Sequence, residues 1–296
     1  MQAMIVYHYD AFTHVQNQGN PAGVVFDADD LDESTMLQIA RQVGFNETVF
    51  VQSSSVATVR LRYFTPGHEI NLCGHATMAA IYGLRTRGYL NPVPEITIET
   101  KAGILPVALM VESSDLLTIR MQQSEPQFVP FEGDKERLMH AIGLSLEDLD
   151  LRYPIVYGST GTWTLLIPIR TLSAFGNMRP ESSQFPVLLT EMPRASIHPF
   201  GLETAHPESM MHARHFSSPY SGTIEDPVTG TASGVMGAYY MTYIQPGLER
   251  LSFQVEQGHE LLRDGRVQVD VRRTGQGMSV HVSGNAVFVK ELSVVL

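Results

Sequence analysis

The sequence holds a single cysteine, Cys73. An intrachain disulfide is therefore excluded, and the fold does not depend on an oxidising compartment. A mechanism that needs two thiols on one chain is excluded as well, and so is a multi-cysteine zinc or iron–sulfur centre. Basic residues are also scarce: 20 Lys and Arg stand against 31 Asp and Glu, for a formal net charge of −11. No basic stripe is present, so nucleic acid is not the expected partner. An anionic small molecule would have to be held by local donors, not by the overall field. Apolar runs of about 18 residues are missing too, which excludes a membrane span of the helical kind. The start, "MQAMIVYHYDAF", lacks a basic segment followed by an apolar one and reads as a first strand, so a cytoplasmic protein is the expectation. Neither "GTASGVMG" nor "GSTGT" has the spacing of a dinucleotide loop or a phosphate loop.

What is present is short alternation. "MIVYHYDAF", "TVFVQ", "ATVRLRYFT", "EITIETKAG", "ILPVALMV" and "LLTIRMQQ" read as strands. Residues 31–45 predict an amphipathic helix with Met36, Leu37, Ile39, Ala40 and Val43 on one side. A second helix is expected from about Gly74 to Arg87. After a compositional break at 121–134 the pattern recurs. "KERLMHAIGLSLEDL" and "TGTASGVMGAYYMTYI" read as helices, and "TWTLLIPI", "MHARHFS" and four segments of the tail read as strands. The recurrence has a register: "RYFTPGHEINLCGHAT" (62–77) aligns with "RHFSSPYSGTIEDPVTGTAS" (214–233), the second copy carrying four extra residues before its glycine. Upstream, "GFNETVFV" is similar in pattern to "GTWTLLI". The expectation is two related strand-rich halves, each with one central helix, facing each other across a cleft.

Gly74 and Gly230 both open a helix after a strand and a turn. A helix N-terminus carries about half a positive charge and up to four unpaired N–H groups, and glycine admits a ligand close to them. Two such ends facing one cleft would hold a carboxylate without Lys or Arg. The alternative is that small residues there only permit tight packing. Glu47, just before an apolar strand, is a candidate base, or else an ordinary glutamate at a strand edge. Asp226, four residues before Gly230, is a candidate acid or a turn aspartate, with Glu225 as its rival. His75 in the first helical turn would be neutral and able to relay a proton, or is a core histidine. Cys73 is a nucleophile activated by the helix end or a small buried residue. His198, His206, His212 and His215 are irregularly spaced, and His212 and His215 cannot share a strand face, so no metal site is expected there.

"GNPAGVV" (19–25), "NETVFV" (46–51), "FTPGHEINLCGHAT" (64–77), "EDPVTGTASG" (225–234) and "VSGNAVFV" (282–289) together resemble the PhzF-like phenazine-biosynthesis proteins, in order and spacing along the whole chain. The resemblance implies an α+β fold of the diaminopimelate epimerase type: two pseudo-symmetric, barrel-like halves, each around a central helix. It places an N-terminal half at 1–122 with 282–296, a C-terminal half at 123–281, and the active site in the cleft between them. It implies a cofactor-independent isomerase without a metal, similar to trans-2,3-dihydro-3-hydroxyanthranilate isomerase, acting on a small carboxylate substrate and homodimeric as a family trait. Its catalytic glutamate falls on Glu47, its site histidine on His75 and its site aspartate on Asp226. Substrate contacts fall on Gly74, Gly230 and Thr231, and on Asn46, where serine is common in the family. The related epimerases use two opposed thiols. Here Cys73 stands at the first of those positions and Thr229 at the second, so the two-thiol mechanism is not available. Two other readings stay open: an epimerase-like enzyme with Cys73 as one of two unlike bases, and a non-catalytic binding protein of the same fold.

Overall fold

The computed structural model describes residues 3–111 and 116–296. The alternating segments become β1 (Ala3–Ala11), β2 (Asn20–Val25), β3 (Glu47–Gln52), β4 (Val59–Phe64), β5 (Glu69–Ile70), β6 (Glu95–Thr100), β7 (Gly103–Val111) and β8 (Leu117–Gln122). Between them lie α1 (Glu33–Val43) and α2 (Gly74–Thr86). The second run of strands is β9 (Gln127–Pro130), β10 (Val156–Ser159), β11 (Trp163–Ile169), β12 (Ser196–Gly201), β13 (Met211–Ala213), β14 (Arg250–Gln257), β15 (Gly265–Thr274), β16 (Gly277–Gly284) and β17 (Ala286–Val295). Its helices are α3 (Lys135–Ala141), α4 (Leu172–Phe175), α5 (Phe185–Leu188) and α6 (Gly230–Tyr239). The chain divides into two compact units, Met1–Met121 with Ser283–Leu296, and Gln122–Val282. Among the described residues no helix is long and apolar enough to cross a membrane.

The two units repeat one topology. β1 and β2 pair antiparallel, as β10 and β11 do. β2 and β3 run parallel across α1, and β11 and β12 run parallel across α4 and α5. β3 turns antiparallel into β4, and β12 into β13. β4 and β6 run parallel across α2, and β13 and β14 run parallel across α6. Antiparallel pairs β6–β7 and β14–β15 follow. The outer edge of β1 is covered by the C-terminal β17, which returns to the first unit, and that of β10 by β9. The fold is thus α+β, with a mixed sheet in each unit.

α2 and α6 are the two central helices. A helix that is apolar all round must be surrounded. Nine of the ten residues of α6 are buried, and so are nine residues of α2. Gly237 lets α6 close on its sheet: a Cβ there would meet methyl groups of Val269 and Val271 at 2.8 and 2.9 Å. α1 is the amphipathic surface helix that the pattern demands, with Met36, Ile39 and Ala40 buried. Asp32 caps its start by accepting from the Thr35 N–H, and Gly44 at φ 72° ends it.

The repeat extends to side chains. Arg62 donates to both carboxylate oxygens of Glu69, at 2.8 and 2.7 Å. Arg214 donates to both oxygens of Glu225, at 2.8 and 2.6 Å. Each guanidinium also lies over the phenylalanine two residues on, Phe64 at 5.3 Å and Phe216 at 4.9 Å. Arg and Glu are seven residues apart in the first copy and eleven in the second, so the four extra residues fall inside the clamped turn. Thr77 and Ser233, each four residues after the cap, donate back to the carbonyls of Cys73 and Thr229 at 2.7 and 2.8 Å.

Some expectations need correction. The helix expected over 135–149 stops at Ala141, because Gly143 takes φ 81° and reverses the chain before a short turn at Leu146–Asp148. The strand expected over 211–217 is only Met211–Ala213; beyond it Phe216 forms single bridges to Ile197 and Glu225. α6 ends at Tyr239 and continues as a wider turn over Tyr240–Ile244.

Candidate active site

Asn46 immediately precedes β3, and Glu47 is its first residue, held level with Ala22 of β2 by the parallel ladder. His75 is the second residue of α2, and Cys73 is the residue that caps it. These elements bring Glu47, His75 and Cys73 together, with Asn20 at the start of β2 as a fourth member. His75 Nε2 lies 3.2 Å from Glu47 Oε2. His75 Nδ1 lies 3.2 Å from the Asn20 amide nitrogen and 3.3 Å from Cys73 Sγ. An amide N–H and a thiol S–H are both donors, so Nδ1 is assigned as the acceptor of a neutral ring. The ring proton then sits on Nε2, the nitrogen 3.2 Å from Glu47 Oε2.

The Cys73 side chain makes no capping hydrogen bond to α2, and the Thr229 side chain makes none to α6. A Cβ at Gly74 would meet nothing within 4 Å. Glycine is therefore not needed there for packing, and it leaves the backbone at the helix start open to approach.

The second unit holds the other expected residues. Thr229 Oγ1 donates to Asp226 Oδ2 at 2.5 Å. Gln257, at the end of β14, locks this turn from three sides. Its amide donates to the Asp226 carbonyl at 2.8 Å and to Thr229 Oγ1 at 3.3 Å, and its oxygen accepts from the Thr229 N–H at 3.1 Å. Gly230 opens α6, and the Thr231 carbonyl accepts from Thr160 Oγ1 at 3.0 Å. Asp226 N–H donates to the His215 carbonyl. Behind it His215 and His198 are buried with their Nδ1 atoms 3.2 Å apart. Burial pushes His215 below its ordinary value although Asp226 pulls it upward. Burial, with His215 beside it, pushes His198 well below. Both rings are thus neutral at pH 7. Glu225, the rival of Asp226, is bound on both oxygens by Arg214, which suits it to holding the turn and not to moving protons.

Sequence reasoning from single residues missed Asn20 and Gln257. Asn20 stands within "GNPAGVV", where it was noted only as part of a motif. Gln257 carries no local signal beyond the glycine that follows it.

The sequence matches the phenazine biosynthesis-like protein family, PhzC-PhzF, over residues 9–292. It is 49% identical over 288 residues to the uncharacterized isomerase YfhB of Bacillus subtilis, covering 97% of each chain. It is 28% identical over 278 residues to trans-2,3-dihydro-3-hydroxyanthranilate isomerase of Pseudomonas aeruginosa, covering 93% of this chain and 94% of that one. The fold superimposes on the crystal structure of the PhzF-family phenazine biosynthesis protein of Bacillus anthracis with a TM-score of 0.97, at 53% identity and full coverage of both chains. The internally repeated α+β architecture, the two glycine helix starts and these likenesses together make the chain an isomerase-type enzyme that belongs to the PhzF family.

Proposed function

We propose that the protein is a cofactor-independent isomerase that moves a proton within a small carboxylate-bearing substrate, with Glu47 as the base and then the acid. The observation that carries this reading is the Glu47–His75 pair, 3.2 Å apart at the start of α2. Glu47 takes a proton from an activated C–H and returns it to another carbon of the same molecule. His75 faces Glu47 with its Nε2–H and tunes it. In this reading the two units face each other across a cleft, and the N–H groups at Gly74 and Gly230 hold the substrate carboxylate. Asp226, braced by Thr229 and Gln257, orients the substrate amine or hydroxyl. Asn46 and Thr231 line the same place. The substrate of the Pseudomonas aeruginosa relative, trans-2,3-dihydro-3-hydroxyanthranilate, is the first compound to try, followed by a panel of small unsaturated, amino and hydroxy acids. Product formation followed by NMR in D₂O tests the reading. It expects isomerisation of at least one acid, with the new C–H only partly labelled by solvent deuterium. Turnover of no acid, with none raising the melting temperature, would oppose it.

A second reading has one observation in its favour. Cys73 Sγ lies 3.3 Å from His75 Nδ1, so a base stands beside the thiol at a helix N-terminus. Cys73 would then serve as one of two unlike bases. Cys73→Ala separates the two readings. The single-base reading expects turnover within about threefold of wild type, since Asn20 also donates to His75 Nδ1 and would hold the ring without the thiol. A loss in the range of about 10²–10⁴, the usual contribution of an acid–base group, would favour the thiol.

A further inference from the structure

Two histidines and an aspartate meet in the second unit, apart from the residues of the candidate active site. His206 comes from the loop between β12 and β13, His259 from the short turn His259–Leu261 after β14, and Asp264 from the residue before β15. His206 Nε2 lies 3.1 Å from His259 Nε2 and 3.5 Å from Asp264 Oδ2. One ligating atom from each residue falls within 4.8 Å of the other two. Two imidazole nitrogens bound to one tetrahedral ion at about 2.0–2.1 Å stand about 3.3 Å apart. The His206–His259 edge matches that figure, and His259 approaches Asp264 through Nδ1 and Oδ1 at 3.4 Å.

The loops that carry these groups are fixed by other contacts. Glu256 accepts from the N–H groups of Ala205 and His206, at 2.6 and 3.0 Å. The His206 carbonyl accepts from Thr204 Oγ1 at 3.0 Å and from the Ser209 N–H at 3.1 Å. The loop over 258–264 closes on the Gly258 carbonyl, which accepts from Leu261 and Arg263 N–H. Gly258 itself takes φ 96°, and a Cβ there would lie 2.3 Å from the Arg263 carbonyl oxygen. The second shell has the expected character too. Arg266 engages Asp264 through Oδ1, the oxygen other than the one facing His206. Glu208 stands 3.7 Å from the remaining nitrogen of His206.

A neighbouring group makes a useful contrast. His212 also lies near Glu256 and His259, but each of its nitrogens already has a carboxylate, Glu256 at 2.8 Å and Glu260 at 3.0 Å. Glu256 is further committed to two backbone N–H groups. Both nitrogens of His212 are thus committed to carboxylates, whereas His206 and His259 meet through their Nε2 atoms.

We propose that His206, His259 and Asp264 bind a divalent ion of the zinc class, with water in the fourth position. An N₂O donor set suits Zn²⁺, Co²⁺ or Ni²⁺ better than Mg²⁺ or Ca²⁺. The ion ties the loop before β13 to the loop after β14. Gln257, directly before the second loop, holds Thr229 and Asp226, so the ion stiffens the base on which that turn rests.

Chelator-treated full-length protein, titrated with ZnCl₂ by calorimetry and with CoCl₂ by absorption, tests the proposal. Wild type is expected to bind one ion per chain, with a Co²⁺ spectrum of tetrahedral type that lacks thiolate-to-metal absorption. His206→Gln and Asp264→Asn, made separately, are each expected to weaken Zn²⁺ at least tenfold with an unchanged metal-free melting temperature. Cys73→Ser is expected to leave the affinity unaltered, which separates this site from Glu47, Cys73 and His75, whose spacing also resembles a ligand set. Absence of saturable Zn²⁺ binding overturns the proposal. So does binding that both His206→Gln and Asp264→Asn leave intact, or binding that Cys73→Ser abolishes.

Discussion

Glu47→Gln is expected to keep the fold and lose turnover by about 10²–10⁴-fold, the usual contribution of a positioned general acid–base group. The substitution is nearly isosteric. The amide takes the place of the carboxylate beside His75 Nε2, and β3 keeps its ladder with β2 and β4. What is lost is a carboxylate able to take and return a proton. Binding of a carboxylate ligand should change little, because the helix starts at Gly74 and Gly230 carry that task in the proposed scheme. The effect therefore belongs in kcat and not in KM. Retention of more than about a tenth of wild-type kcat would remove Glu47 from the mechanism.

The second large effect is on stability. Arg214→Ala is expected to cost about 3–5 kcal/mol, measured by urea denaturation, because it leaves Glu225 buried without its partner. Arg214 is only 6% exposed and also donates to the Phe175 carbonyl at 2.8 Å. The double variant Arg214→Ala with Glu225→Ala should lose clearly less than the sum of the two single losses. The matching change in the first unit, Arg62→Ala, should cost less. Glu69 keeps Lys101 as a second cation, and its carboxyl is already held below its ordinary value, burial notwithstanding, by Arg62 and Lys101 together. A cost under about 1 kcal/mol for Arg214→Ala would show that the clamp does not hold the turn. Because Asp226 follows Glu225 directly, the same variant should also lower turnover.

Local pattern reaches the residues of the candidate site more readily than the fold's detail. Two glycine-opened helices after similar turns were legible because they rest on local pattern: strand, turn, small residue, apolar helix. The register between 62–77 and 214–233 was legible for the same reason, and the paired Arg–Glu clamps explain why it survives an insertion of four residues. Other features depend on contacts between distant segments. β10 and β12 were missed because Gly158 in one and Pro199 in the other mask the alternation. The helical pattern runs past the end of α3 through Gly143, whose left-handed backbone only the folded turn reveals. Gln257 could not be seen as a brace until β14 placed it beside Thr229. Among the four histidines of 198–215, only His206 joins the proposed metal group, and its partners lie more than fifty residues downstream.

The central claim is that one group, Glu47, removes and returns the same proton. Turnover of a substrate deuterated at the migrating position, in ordinary water, tests this most directly. A single base that redelivers what it took predicts that a measurable fraction of the deuterium reappears at the new carbon at early conversion, and that Cys73→Ala leaves this fraction unchanged. Complete washout of the label from the first turnovers, joined to a turnover that fails without Cys73, would contradict it.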